Sequence, residues 1–214
     1  MRVVVLGAAG QTGRLVVEGL VAAGHDVLGA VRTDEQARSV HDVGASAVTA
    51  DLSQVAPMEM QSIMAEADAA VWAAGAGFGV DPEHIDGDAC VSAQRQADLA
   101  GVGRWAQISS LYADRPQDGP PILQAVLRAK ARSDAAVQAS GLGWTIVRPG
   151  GLTNDVGTGQ VDLGHRLVGG TVPRADVAAT VVACLADPAT ARRSFDLVAG
   201  ATPIEAALTA FTGE

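Results

Sequence analysis

The feature that most constrains the fold is a regular alternation of short apolar segments with longer amphipathic ones along the chain. The first apolar segments, Arg2–Leu6 and Asp26–Val31, are too short for helices, and each is followed by a helical pattern. Repeated strand–helix–strand units with short connections predict a parallel sheet that carries helices on both faces. We therefore predict an α/β fold, a Rossmann-type doubly wound sheet, as a single domain over residues 1–214.

The remaining segments continue the same alternation. Two stretches fit neither pattern, residues 112–120 and residues 150–173, and they follow the predicted fifth and sixth strands. Open α/β sheets bind ligands outside the carboxyl ends of their strands, so these stretches are predicted to form the substrate rim rather than two plain surface loops. The other predicted strands are 47–50, 69–74, 104–108, 144–147 and 195–198, and the predicted helices are 11–23, 34–43, 57–65, 83–100, 121–140, 174–186 and 204–211.

Charge and composition exclude several classes of partner. A formal net charge of −9 disfavours binding to nucleic acid or to an anionic membrane surface. No apolar run is long enough for a membrane span or a signal segment, so we expect a cytoplasmic protein. The two cysteines are far apart and the four histidines are scattered, without the spacing of metal ligands. We therefore expect both cysteines to be reduced thiols in the core, and we expect no metal site.

The strongest motif is a glycine-rich turn between the first predicted strand and the first predicted helix. Gly7 allows the tight turn, Gly10 lets the backbone approach a pyrophosphate, and Gly13 lets the helix pack close to the strand. The free N–H groups and the positive dipole end of that helix then face the phosphates. The residues expected to contact the cofactor in this turn are Gly7, Ala9, Gly10, Gln11, Thr12, Gly13 and Arg14.

The end of the second predicted strand indicates which dinucleotide binds. NAD-specific proteins place a carboxylate there, about 20 residues after the turn, to accept hydrogen bonds from the adenosine ribose. This chain has Arg32 instead, and Asp34, the first acid, is predicted to cap the next helix. A guanidinium group suits a 2′-phosphate, with Arg14 able to stack or pair from the other side. We therefore predict NADP(H), with NAD(H) as the alternative cofactor.

These residues, with several downstream motifs, resemble the atypical branch of the short-chain dehydrogenase/reductase superfamily. The chain is most similar to its NAD(P)H-binding group, which contains NmrA-like proteins and biliverdin-IXβ/flavin reductases. The resemblance covers nearly the whole chain. Its carriers are the turn over residues 7–14, Asp51-Leu52, Ala73-Ala74-Gly75, Ile108-Ser109-Ser110, Lys130, Val147-Arg148-Pro149-Gly150 and Phe195-Asp196-Leu197.

The resemblance also implies roles for these positions. It implies that Asp51, followed by Leu52, binds the adenine amino group; from the residues alone, a turn cap is an equal alternative for Asp51. It implies that Ser109 faces the nicotinamide. It implies that Ala73, Ala74 and Gly75 run beneath the adenosine. It implies that Pro149, Gly150, Gly151 and Leu152 line the nicotinamide pocket.

The chain departs from the superfamily at the catalytic pair Tyr-x-x-x-Lys. In that pair the lysine holds the nicotinamide ribose and lowers the pKa of the tyrosine, which donates a proton to a carbonyl oxygen. Lys130 fits the lysine position, but Val126 stands where the tyrosine belongs. Tyr112, the only tyrosine, lies in a loop, where it either approaches the nicotinamide or is an unrelated aromatic residue. Lys130 in turn either contacts the ribose or is a solvated lysine on a helix face.

These observations favour an NADP(H)-dependent oxidoreductase that transfers hydride to a small ring-shaped acceptor such as a flavin or quinone, with Ser109, Lys130 and Tyr112 as candidate catalytic residues. The alternatives are a non-catalytic redox sensor that binds NADP(H), and a nucleotide-sugar epimerase or dehydratase. The expected partner is a small-molecule substrate, and the sequence does not indicate the oligomeric state.

An acidic cluster that includes Asp86 and Asp88 lies at a predicted helix start, where the helix dipole accounts for it better than a metal site does.

Overall fold

The computed structural model describes residues 1–77 and 80–213, and its central element is a nine-stranded sheet. The strand order is β11-β8-β10-β6-β5-β4-β1-β2-β3, with a separate parallel pair formed by β7 and β9. The strands are β1 (Arg2–Leu6), β2 (Asp26–Val31), β3 (Ser46–Thr49), β4 (Ala69–Trp72), β5 (Arg104–Ile108), β6 (Gly143–Pro149), β7 (Gly151–Thr153), β8 (Gln160–Gly164), β9 (Thr171–Pro173), β10 (Arg193–Ala199) and β11 (Thr202–Pro203).

Seven α-helices connect these strands in the described part of the chain. A π-helix, Glu83–Ala89, runs directly into the fourth of them, and a single 3₁₀ turn, Pro121–Leu123, precedes the fifth. The helices are α1 (Gln11–Ala22), α2 (Asp34–His41), α3 (Pro57–Ile63), α4 (Cys90–Leu99), α5 (Gln124–Gln138), α6 (Arg174–Ala186) and α7 (Ile204–Thr212).

The topology confirms the predicted doubly wound fold. From β3 to β10 every neighbouring pair of strands is parallel, whereas β8 and β11 add an antiparallel edge. The chain moves outward through β2 and β3 on one side of β1, then continues through β4 on the other side. This reversal between β1 and β4 opens a crevice at the carboxyl ends of the two strands, the usual ligand position in such sheets.

The sheet separates two apolar cores. Val3 and Val5 of β1 join the core beneath α1, α6 and α7, whereas Val4 and Leu6 join the core beneath α3 and α4. This division follows from the two-residue repeat of a strand that is buried on both faces. All three tryptophans lie in the second core, whereas Phe195 and Phe211 lie in the first.

Two local predictions differ from the structure. The segment 150–173 is not irregular but contains β7, β8 and β9; its strands are held by distant partners, such as β8 against β10. Asp34 is not a helix cap, because the Thr33 hydroxyl accepts the capping hydrogen bond from the Gln36 amide and Asp34 begins α2. Among residues 1–77 and 80–213, no helix has both the length and the apolar content needed to cross a membrane.

Candidate active site

The turn between β1 and α1 has the close packing that the glycine pattern predicts. Gly7 has a φ of +86°, and a Cβ on it would lie 2.7 Å from the backbone of Ala74 at the end of β4. A Cβ on Gly13 would overlap the carbonyl oxygen of Gly7. Gly10, the N-cap residue, provides no side-chain cap, and the first turn of α1 contains no acid. The start of α1 therefore keeps amide donors for a ligand and has the shape of a phosphate cradle.

Arg32 and Asp51 follow neighbouring strands, β2 and β3, at the same edge of the sheet. The Arg32 side chain is exposed, and its guanidinium forms no ion pair with any residue in the described ranges. Asp51 Oδ1 accepts hydrogen bonds from the hydroxyl of Ser53 at 2.7 Å and its amide at 3.0 Å. These two bonds lower the pKa of Asp51. Asp51 thus caps its own turn, and its role toward adenine stays a prediction.

Other predicted adenosine contacts lie close by. A cleft of about 150 Å³ beside the end of β3 is lined by Leu52, Ser53, Met60, His84 and Ala89, among others. Ala73, Ala74 and Gly75 form the segment directly after β4. Arg14 lies on the exposed side of α1, where its Nε is 3.2 Å from Oε1 of Glu18. Its guanidinium group therefore already has one partner.

Lys130 is not a solvated lysine on a helix face. Its side chain is 13% exposed, and its Nζ lies 2.8 Å from Oδ1 of Asp86 and 3.3 Å from the carbonyl oxygen of Ile108, the last residue of β5. Asp86 is the contact of Lys130 that the sequence interpretation misses, because the helix dipole alone explains an acid at a helix start. No local signal distinguishes it from Asp88, two residues further along, which is exposed.

Ser109 lies directly after β5, with its hydroxyl buried. The Oγ atom has no hydrogen-bond partner among the described residues, although the Asp134 carboxylate lies beside it. That carboxylate accepts hydrogen bonds from Gln107 Nε2 at 2.8 Å and from Arg148 Nε at 3.0 Å. Burial raises the pKa of Asp134, and the Arg148 charge opposes this rise. The Ser109 hydroxyl is thus buried beside a carboxylate, and its role toward the nicotinamide stays a prediction.

Tyr112 connects the two predicted rim segments. It has a φ of +71°, an uncommon conformation for a bulky residue. Its hydroxyl oxygen accepts a hydrogen bond from the Gly169 amide at 2.8 Å. Arg115, whose guanidinium lies over the Tyr112 ring, donates to the carbonyl oxygen of Leu167 at 2.8 Å. The segments 112–120 and 150–173 are therefore tied together beside the carboxyl ends of β5 and β6.

The remaining predicted residues lie next to this rim. Pro149 ends β6, and the amide of Gly150 donates to the carbonyl oxygen of Leu197 in β10. Gly151 and Leu152 belong to β7, which pairs with β9. The predicted site residues thus either follow the carboxyl ends of β1 to β6 or belong to α1, α5 and β7. A larger cleft of about 270 Å³, between β8 and α7, contains none of them.

Comparisons with known proteins agree with this geometry. A family model described as NAD(P)H-binding matches residues 7–188. An uncharacterised sugar epimerase of Bacillus subtilis is 38% identical over 212 residues, 97% of this chain and 99% of the relative. A solved structure from Bacillus halodurans, described as a candidate NAD-dependent epimerase/dehydratase, has a TM-score of 0.90 and 31% identity, with 96% of this chain and 97% of that chain covered.

A more distant structure shares the fold. ChuY of Escherichia coli, described as an anaerobilin reductase, has a TM-score of 0.82 and 22% identity. The alignment covers 93% of this chain and 97% of ChuY. At this level of identity the similarity concerns the architecture alone.

Proposed function

Because this chain belongs to the NAD(P)H-binding family, we propose that it is an oxidoreductase that uses NADP(H) to reduce a small, ring-shaped acceptor such as a flavin or a quinone. The family match, together with the structural neighbours, confirms the predicted resemblance to atypical short-chain dehydrogenase/reductases. NAD(P)H, when bound, supplies the hydride. The choice of NADP(H) and the class of acceptor are our proposals.

The residues of the site fit this cofactor. The uncapped start of α1 provides amide donors for a pyrophosphate, and no side chain fills the space above Gly10. Arg32 provides an unpaired guanidinium for a 2′-phosphate, and the cleft beside Leu52 can receive a flat base. Ser109, directly after β5, and Lys130, whose Nζ donates from α5 to the last carbonyl oxygen of β5, would hold the nicotinamide side.

The proposed class of acceptor rests on the presence of valine at position 126. This residue lies one helical turn before Lys130 on α5, so both side chains are on the same face of the helix. Valine cannot donate a proton, and Lys130 is engaged with Asp86. The Tyr112 hydroxyl oxygen accepts from the Gly169 amide, which holds the ring against the 150–173 segment and leaves its O–H free, so Tyr112→Phe is the variant that tests it. The arrangement therefore supports reduction of acceptors that take a hydride without a proton from a tyrosine, with solvent as the proton source.

The surface of the rim supports an apolar acceptor. Ile122, Val156 and Val168 are each about nine-tenths exposed, and all three belong to segments that follow β5 or β6. Exposed apolar side chains on the segments that follow these strands are suited to a flat, largely apolar molecule. They are less suited to the hydroxyl groups and phosphates of a nucleotide sugar.

The experiment is a panel of acceptors with NADPH oxidation as the readout. We expect the wild type to reduce flavins or quinones and to reduce simple aldehydes and ketones barely. Val126→Tyr restores the Tyr-x-x-x-Lys pair, and we expect it to increase carbonyl reduction at least about tenfold, since general acids contribute about 10²–10⁴-fold. Val126→Phe is the matched control: it adds the same ring without a hydroxyl and should give no increase.

Three results would contradict the proposal. One is efficient ketone reduction by the wild type, above all if Tyr112→Phe abolishes it. Another is conversion of a nucleotide sugar, as the name of the Bacillus subtilis relative suggests. The third is NADPH binding without turnover of any acceptor, which is the behaviour expected of a redox sensor.

A further inference from the structure

Asp86 is buried by the π-helix that precedes α4. Within this element Asp86, Gly87 and Ala89 face inward, whereas Glu83, His84 and Asp88 are exposed. A π-helix has more residues per turn than an α-helix, so it changes which side chains point toward the sheet, and such turns are frequent at functional sites. The Asp86 side chain is only 1% exposed.

The backbone after β4 fixes the Asp86 carboxylate. Oδ2 accepts a hydrogen bond from the Ala76 amide at 3.0 Å. A Cβ on Gly75 would lie 3.4 Å from Oδ1, so the carboxylate lies directly against this glycine. Asp86 is thus anchored to the segment after β4, between the cofactor crevice and α5.

The same carboxylate holds the end of Lys130. An ammonium group has three N–H donors. In the described structure, Nζ lies 2.8 Å from Asp86 Oδ1 as an ion pair without hydrogen-bond geometry, and one N–H donates to the Ile108 carbonyl oxygen at 3.3 Å. A further N–H remains for a ligand, and these two contacts set the position of the ammonium group.

We propose that Asp86 is a positioning residue for the cofactor: anchored by the Ala76 amide, it orients the Lys130 ammonium so that its remaining N–H meets a ribose hydroxyl on the nicotinamide side. This inference rests on the proposed NADP(H) site but not on the acceptor. Without Asp86, Lys130 would lose its partner in a partly buried position and would turn toward solvent. Asp86 itself would not contact the cofactor.

The test measures binding rather than turnover. Dissociation constants are determined for NADPH and for adenosine 2′,5′-bisphosphate, which contains only the half of the cofactor remote from Lys130. We expect Asp86→Asn to weaken NADPH binding about tenfold or more, in the range of a lost charge-assisted hydrogen bond. Binding of the bisphosphate should stay within about threefold of the wild type, because its contacts lie at β1, β2 and β3.

A matched control comes from an exposed ion pair between the same two elements. Arg132 on α5 contacts Glu83 of the π-helix at 2.8 Å, and both side chains are about half exposed. Glu83→Gln removes this ion pair without touching Asp86 or Lys130, and it should leave the binding of both ligands unchanged. An effect equal to that of Asp86→Asn would overturn the inference, because it would show that any loss of charge on the π-helix weakens binding.

A double-variant cycle provides the second measurement. If Asp86 acts through Lys130, Asp86→Asn should have no further effect on NADPH binding in a Lys130→Met background. The double variant also removes both buried charges together, so it stays informative if Asp86→Asn alone does not fold. The inference is overturned if the double variant binds NADPH more weakly than Lys130→Met, or if Asp86→Asn weakens both ligands equally. Failure of the acceptor panel would leave these results intact.

Discussion

At the scale of residues, the proposed choice of NADP(H) over NAD(H) rests on the end of β2. Arg32 occupies the place where NAD-binding proteins have an acid, and its exposed guanidinium forms no ion pair with the described residues. The Arg32 amide donates to Gln36 Oε1 at 2.9 Å, which fixes the backbone at this point. Asp34 lies two residues further along, inside α2, and Thr33 takes the capping position. The site therefore presents a positive charge where a 2′-phosphate would lie.

We predict that Arg32→Ala removes the preference for NADPH. NADPH binding should weaken by about 1.5–3 kcal/mol, the range for a hydrogen bond to a charged group, whereas NADH binding should change little. Arg38→Ala, which removes an exposed arginine in the last turn of α2, is the control for the change in net charge. Titration of each variant with both cofactors measures the difference. Equal affinities of the wild type for NADPH and NADH would be inconsistent with this role of Arg32.

At the scale of elements, the junction of β1 and α1 separates a binding role from a packing role. Gly10 and Gly13 are three residues apart, yet their surroundings differ. A Cβ on Gly10 would lie 3.3 Å from the Gly7 carbonyl oxygen, a contact that a small shift relieves, whereas a Cβ on Gly13 would overlap the same oxygen. The glycine at the helix start is thus available to a ligand, and the glycine inside the helix is required by the fold.

We predict opposite phenotypes for substitutions at these two glycines. Gly10→Val should abolish most NADPH binding and change the midpoint of urea unfolding little, because the extended backbone at Gly10 suits valine. Gly13→Ala should lower the free energy of unfolding by about 1–3 kcal/mol, the usual cost of overpacking. Urea titrations and NADPH titrations on both variants measure the two effects. Normal NADPH binding by a folded Gly10→Val variant would mean that the phosphates lie elsewhere.

At the scale of the whole molecule, each face of the sheet contains one cysteine in its core. Cys184 packs in the core beneath α1 and α6, and Cys90 packs in the core beneath α3 and α4. Burial raises the pKa of the Cys184 thiol to about 12 and raises the pKa of the Cys90 thiol as well. Because the thiolate is the reactive form, both cysteines are protected in the folded state.

We predict that neither thiol reacts with iodoacetamide at pH 8 in the native protein and that both react after denaturation in guanidinium. Raising the pH within the stable range should not expose them, since the pKa of Cys184 is far above 8 and burial also limits access. Peptide mapping over time gives a separate rate for each cysteine. Equal rates indicate that the two cores open together, whereas rapid labelling of either thiol in the native protein would show that its core is not closed.

The sequence by itself determined the parallel doubly wound sheet, the glycine turn and the missing tyrosine at Val126. These features depend on local patterns: a two-residue repeat buried on both faces, a glycine spacing between a strand and a helix, and the identity of a residue one turn before Lys130. Each of these features can be identified from residues that are close together in the sequence. Strand ends shifted by a few residues because they depend on pairing, as in β6, which extends to Pro149.

Only the tertiary structure decided which side chains meet. Asp86 and Lys130 are 44 positions apart, and Tyr112 and Gly169 are 57 positions apart, so no local pattern connects them. The strands within 150–173 form for the same reason, because β8 depends on the edge of β10 and β7 depends on β9. Burial has the same origin: an acid at a helix start is solvated in most proteins, whereas the π-helix here buries Asp86, whose Oδ1 lies 2.8 Å from Lys130 Nζ.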